Sequence, residues 1–189
     1  MTPTEVFNLP KRPFTVDEYY RLAEVGILGP DEKVELINGE IFQMSPIGPR
    51  HAGVVNQLSH LLREMEGWTY VLAVQNPVRL SSYSELEPDI SVLQSRAGFY
   101  KSAHPVSTDV ILLVEVSETT FEYDSKIKLP LYAKKGIPEY WIIDLERDRI
   151  LVHTNPQGST YQTQRIYQRG DLLSSSVLPR GLPVDEILD

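Results

Sequence analysis

Val110-Ile111-Leu112-Leu113-Val114-Glu115-Val116-Ser117 is an almost unbroken apolar run, the pattern of a strand buried on both faces of a sheet. Its exception is Glu115. An ionised carboxylate among aliphatic neighbours is costly unless a cation or strong donors meet it. Downstream, Asp124, Lys128 and Tyr132 fall at helical spacing, Gly136 ends the segment, and Tyr140-Trp141-Ile142-Ile143-Asp144 is a second apolar run. Strand, helix and strand in that order predict a parallel pair, 110–117 and 139–145, joined by a right-handed crossover helix over 124–135. Pro130 lies inside that helix, where it removes a backbone bond, so either the helix kinks or its regular part starts near Lys126.

Working outward, Glu87-Pro88-Asp89-Ile90-Ser91-Val92 reads as another strand entered through Asp89, with Ser81-Ser82-Tyr83-Ser84 as the turn before it. Near the start, Thr15-Val16-Asp17-Glu18 has the form of a capping box opening a helix that runs to about Val25 and stops at Gly26 or at Gly29-Pro30. Asn38-Gly39 between Val34-Glu35-Leu36-Ile37 and Glu40-Ile41-Phe42-Gln43-Met44 is a strong hairpin signal. From Pro49, apolar residues Val54, Val55, Leu58, Leu61, Leu62 and Met65 form one helical stripe that Gly67 ends. Strands are expected at 68–74, 77–80, 150–154 and 160–167, a loop at 95–108, and a last helical turn at 184–188. This order predicts an α/β fold: residues 1–14 form an N-terminal arm, and 15–189 one domain.

The chain has 189 residues, 41% hydrophobic and 23% charged, as expected of a globular protein with a real core. No apolar run approaches the about 18 residues of a membrane span, and the first residues lack the layout of a signal peptide. Cysteine is absent, which excludes disulfides and thiolate metal sites and fits a cytoplasmic location. The net charge of −8 argues against a clamp on duplex nucleic acid, which normally presents a basic face. It leaves room for a site that is itself rich in carboxylates. Walker-type glycine loops, zinc spacings and a serine nucleophile elbow are all missing.

The chemistry concentrates on few residues. Asp89 and Glu115, each near a strand end, have the oxygen chemistry that magnesium takes alongside water and phosphate, and Lys128 can stabilise charge on a phosphate. Each has a plainer alternative: Asp89 as a strand-entry residue bonding local amides, Glu115 and Lys128 as a closed buried ion pair. Asp124 reads equally as an N-cap and Tyr132 as a core residue. Glu35, between Val34 and Leu36, reads as an outward polar position. His51 begins a helix, where a lone histidine is more often structural. Arg79, Arg96 and Lys101 are scattered, and Trp68 and Trp141 suit the core better than a stacking platform.

Taken as an ordered set, these pieces resemble the Uma2 family of the restriction-endonuclease-like, PD-(D/E)xK superfamily. The set is Val34 to Glu40, Met44-Ser45-Pro46 with His51, Glu87-Pro88-Asp89, Val114-Glu115-Val116-Ser117, Asp124, Lys128, Tyr132, Gly136 and Glu139-Tyr140-Trp141, and the likeness spans roughly 15–188. The resemblance implies a central mixed β-sheet flanked by α-helices and a magnesium- or manganese-dependent nuclease site. By position Asp89 and Glu115 would be the metal carboxylates, Glu35 an early Glu supporting metal or water, and His51 a recurrent neighbour. The superfamily's usual lysine, two residues after the acid, is replaced by Ser117; the resemblance implies that Lys128 has taken over its task from the helix. It also implies DNA as substrate and a homodimer. The leading expectation is therefore a metal-dependent DNA endonuclease. A non-catalytic binding or assembly module, and a phosphoesterase acting on small nucleotides, are the alternatives.

Overall fold

The computed structural model describes residues 11–67 and 69–189. Residues 1–10, most of the expected arm, and Trp68 lie outside the described ones; Phe14 already runs along the first hairpin, its N–H donating to Gly39 O at 2.9 Å.

The chain opens with α1 (Val16–Glu24), and its capping box forms as expected: Glu18 N donates to Thr15 Oγ1, and Thr15 N to the Glu18 carboxylate. Then come β1 (Val34–Ile37) and β2 (Glu40–Gln43), paired antiparallel through Asn38-Gly39. Both turn residues take positive φ, 51° and 80°, the conformation a two-residue primed turn demands. Helix α2 (Pro49–Arg63) buries its predicted stripe, with Leu58 and Leu62 fully enclosed; truncating either to Ala would cost about 2–5 kcal/mol.

Strands β3 (Tyr70–Val74), β4 (Val78–Ser81), β5 (Ser84–Leu86) and β6 (Ile90–Gln94) follow, then β7 (Val110–Ser117). The turn at 81–84 was expected to lead directly into the strand of Asp89. Instead it closes a β4–β5 hairpin, because Ser84-Glu85-Leu86 pairs with both β4 and β1. The loop at 95–108 also contains the start of a short 3-10 turn, Ser107–Asp109.

After β7 the crossover departs from the uniform helix expected over 124–135. It comprises α3 (Phe121–Tyr123), a π turn (Asp124–Lys128) and α4 (Leu129–Lys134). Pro130 is the physical reason: it lacks the N–H needed deep in a helix but fits the first turn of α4. The π turn absorbs the mismatch, with Leu129 N donating to Asp124 O. Then come β8 (Glu139–Asp144), β9 (Arg149–Gln157), β10 (Thr160–Gln168), the short pair β11 (Leu172–Leu173) and β12 (Leu182–Pro183), and α5 (Val184–Leu188).

The large sheet has the order β10-β9-β8-β7-β6-β3, antiparallel except for the parallel β7–β8 pair that the crossover permits. A smaller sheet, β2-β1-β5-β4, lies over one face. Side chains of the large sheet alternate between two cores. Ile90, Val92, Leu112, Val114, Trp141 and Ile143 pack with α2 and α5. Leu93, Val110, Leu113, Tyr140 and Ile142 pack with Tyr132 of α4 and with Ile37, Val78, Leu80 and Leu86 of the smaller sheet. Glu115 shares strand parity with Leu113 and therefore points to this second side, between sheet and crossover.

Candidate active site

The β6–β7 register sets Ile90 opposite Val114. One step further it brings Asp89, just before β6, level with Glu115. Both line a cleft of about 590 Å3, as do Glu35, His51 and Lys128. All five residues singled out from the sequence thus meet in one place.

Lys128 is the hub. Its ammonium donates to Glu115 Oε1 at 3.0 Å and lies 3.6 Å from Glu35 Oε1 and 3.9 Å from Asp124 Oδ1. The π turn makes this possible, carrying both Asp124 and Lys128 inward. Burial alone would lower the lysine, but Glu115, Glu35 and Asp124 together raise it, and the ammonium stays charged. Glu115 is 4% exposed. Burial pushes its carboxyl well above the usual range, with Lys128 pulling the other way. Asp124 is raised by burial too, against Lys128 and two hydroxyl donors. One ammonium thus faces three carboxyl groups, those of Glu115, Glu35 and Asp124.

Each acid is held differently. Glu115 Oε1 also accepts from Tyr132 OH at 2.8 Å, so both bonds fall on one oxygen. Asp89 Oδ2 accepts the Val116 N–H at 2.8 Å and lies 3.0 Å from His51 Nε2, and Oδ1 accepts from Gln75 Nε2 at 3.3 Å. Gln75 takes a positive φ of 51°, a strained backbone for a residue with a side chain. His51 Nδ1 is buried without a hydrogen-bond partner. Burial lowers the imidazole, but Asp89, Glu118 and Asp124 outweigh that and raise it.

Two sequence expectations need correction. Glu35 does not face solvent: it is 2% exposed and accepts from Tyr123 OH at 2.7 Å. β1 is an inner strand of the smaller sheet, flanked by β2 and β5, and the crossover covers its Glu35 side. Asp124 is not an N-cap. Its Oδ2 accepts from Ser117 Oγ and Thr120 Oγ1, both at 2.7 Å, so Ser117, two residues after Glu115, fixes the acid beside Lys128. Tyr123, Gln75 and Glu118 were not singled out from the sequence; an isolated polar residue at a strand or helix end carries no signal of convergence. Of the other candidates, Arg79 pairs with Glu85 at 2.9 Å and Trp141 is core.

Among the described residues, no three of His, Asp or Glu converge into a cage that would hold a metal unaided. A hard divalent ion at Asp89 and Glu115 would take two carboxylates and complete its shell with water and substrate phosphate, the habit of magnesium. The donor set fits that: two carboxyl groups from adjacent strands line one cleft.

Comparison with known proteins finds a family and a fold. The profile of the Uma2 family, described as "Putative restriction endonuclease", matches residues 16–185. A crystal structure from Anabaena variabilis, described as "a putative nuclease belonging to DUF820", superimposes with a TM-score of 0.72 at 17% identity, covering 93% of this chain and 98% of that one. No curated protein matches. The likeness to the solved structure shows the fold: a mixed α/β architecture of the restriction-endonuclease-like kind. No helix among the described residues is long and apolar enough to cross a membrane.

Proposed function

The chain belongs to the Uma2 family, and on that footing we propose that it is a metal-dependent DNA endonuclease whose active site is the cleft around Asp89, Glu115 and Lys128. The main support is the alignment of Asp89 with Glu115 across β6 and β7, with the Lys128 ammonium 3.0 Å from Glu115. A magnesium or manganese ion bound by the two carboxylates would supply Lewis-acid stabilisation and water activation for phosphodiester hydrolysis.

The chain's own groups do the rest. Asp89, fixed by the Val116 N–H and Gln75, presents a pre-oriented carboxylate. Glu115 has one oxygen tied to Lys128 and Tyr132, which sets the angle of the other. Lys128 faces the negative charge that grows on the phosphate during attack, in a site too buried for water to screen it. Glu35, held by Tyr123, keeps the ammonium from swinging away. His51 steadies Asp89 from the α2 side. A homodimer and a cytoplasmic location complete the proposal; the absence of cysteine fits a reducing compartment.

The same 3.0 Å pair also favours a second function, a non-catalytic module in which Lys128 and Glu115 only stabilise the fold. Incubation with supercoiled plasmid, whose torsion opens unpaired stretches, and with a single-stranded oligonucleotide separates them. Nicking that requires magnesium or manganese and stops with a chelator is expected. Hydrolysis of free nucleotides without nicking would identify a phosphoesterase instead, and neither activity would leave the module.

A further inference from the structure

The cleft has two unlike walls. One is the carboxylate–lysine cluster. The other is the segment leaving β2, where Phe42, Met44, Pro46 and Ile47 line the same space and Ile47 is 39% exposed. Phosphodiester hydrolysis has no use for an apolar wall, but a nucleobase does, because every base offers a face that stacks on apolar and aromatic side chains.

The charges of the cleft limit what else can enter. Lys33 and Lys128 are the lysines of its lining, arginine is absent from it, and Glu87, Glu118 and Glu122 add carboxylates beyond the buried cluster. Duplex binding relies on rows of Lys and Arg that neutralise successive phosphates, whereas the two lysines of this lining can meet one or two. The cleft is also narrow. A β-carbon on Gly48 would fall 2.6 Å from Glu118 Oε2, so the segment before α2 and the end of β7 close together at one side. Its 590 Å3 falls in the range of small-molecule pockets, roughly 300–1,000 Å3.

We infer that the cleft takes an unpaired nucleotide of a DNA strand, its base laid against Phe42, Pro46 and Ile47 and its phosphate turned to Asp89, Glu115 and Lys128. The phosphate end rests on the nuclease function proposed above; the base end adds the substrate class. Stacking on such a wall is tolerant of sequence, so the preference concerns pairing state rather than base identity.

The test is fluorescence anisotropy with calcium in place of magnesium, comparing labelled oligothymidylate with a blunt hairpin duplex of equal charge. The single strand should bind roughly tenfold or more tightly, and Phe42→Ala and Ile47→Ser should each weaken it about fivefold. Should Phe42→Ala fail to fold, since Phe42 also packs beside Tyr123, the exposed Ile47→Ser decides. Equal or tighter duplex binding, no single-strand binding, or variants that bind like wild type would overturn the inference. Incubating both probes with manganese separates the two levels. A bound but uncut single strand would remove the nuclease and keep the occupant, whereas a duplex cut as readily as the single strand would keep the nuclease and remove the occupant.

Discussion

Two buried glutamates on adjacent parallel strands invite comparison. Glu139 on β8 is 0% exposed and accepts from Trp141 Nε1 at 2.7 Å, Ser176 N at 3.0 Å and Ser176 Oγ at 2.5 Å. Its donors are neutral and engage both oxygens. Glu115 on β7 is almost as buried, but meets an ammonium and a phenol on one oxygen and lines a cleft. They lie on opposite faces of the β7–β8 pair, Glu139 opposite Leu112 and Glu115 opposite Ile142. An acid inside an apolar strand is thus no mark of chemistry by itself, since Glu139 has a purely structural explanation. What distinguishes Glu115 is a charged partner, unequal use of its oxygens and access to the cleft.

The largest expected effect tests that contrast directly. Asp89→Ala, Glu115→Ala and Lys128→Ala should each lower plasmid nicking by about 10²–10³-fold or more, while Glu139→Gln leaves nicking per folded molecule unchanged. Lys128→Ala strands buried carboxylates without their cation, a cost of about 3–5 kcal/mol, so its activity is normalised to the folded fraction by circular dichroism. Full activity in all three alanine variants would erase the distinction.

Stability should reverse the ranking. Glu139→Leu leaves the Trp141 and Ser176 donors without an acceptor, costing roughly 1–3 kcal/mol for each unsatisfied group. Glu115→Leu in metal-free buffer leaves Lys128 still facing Glu35 and Asp124, so thermal melting should show the smaller loss there. A larger loss at Glu115 would make it the structural glutamate of the two.

Divalent metal sharpens the comparison further. Magnesium or manganese at about a hundred times its dissociation constant should stabilise the wild type by about 2.7 kcal/mol and Glu139→Gln equally, with no gain for Glu115→Gln. An unresponsive wild type would favour the closed ion pair.

The remaining effect lies away from both glutamates, at His153 on β9, stacked by Tyr140 and near Tyr161. Burial pushes its imidazole down to about 4 from the ordinary 6.5. The unfolded chain therefore binds the proton more readily. The stability this histidine contributes is complete above pH 6.5 and is lost as pH falls toward 4. His153→Gln should flatten the decline of melting temperature across that window; an unchanged slope would count against the shift.

Much of this was legible in the sequence, for identifiable reasons. Thr15 with Glu18, Asn38-Gly39, the α2 stripe and the 110–117 run are local patterns, and local patterns survive folding. β5 was missed because Ser84-Glu85-Leu86 is short and mostly polar, and owes its pairing to β1 and β4. Glu35 was assigned the wrong side because alternation along β1 assumes one dry face, whereas the crossover covers the other. The ordered set of acids and Lys128 points to a cluster from the sequence alone, but Tyr123 and Gln75 enter only through partners distant along the chain.

The π turn at Asp124–Lys128 has a consequence for how this chain can change by length rather than by substitution. It holds one residue more per turn than an ordinary helix needs, so removing Ser125 would let the segment relax into regular α geometry ahead of Pro130. Such a shortened chain should gain helical signal while rotating the ammonium away from Glu115, so it should lose activity and, with its buried carboxylates left without their cation, melt earlier.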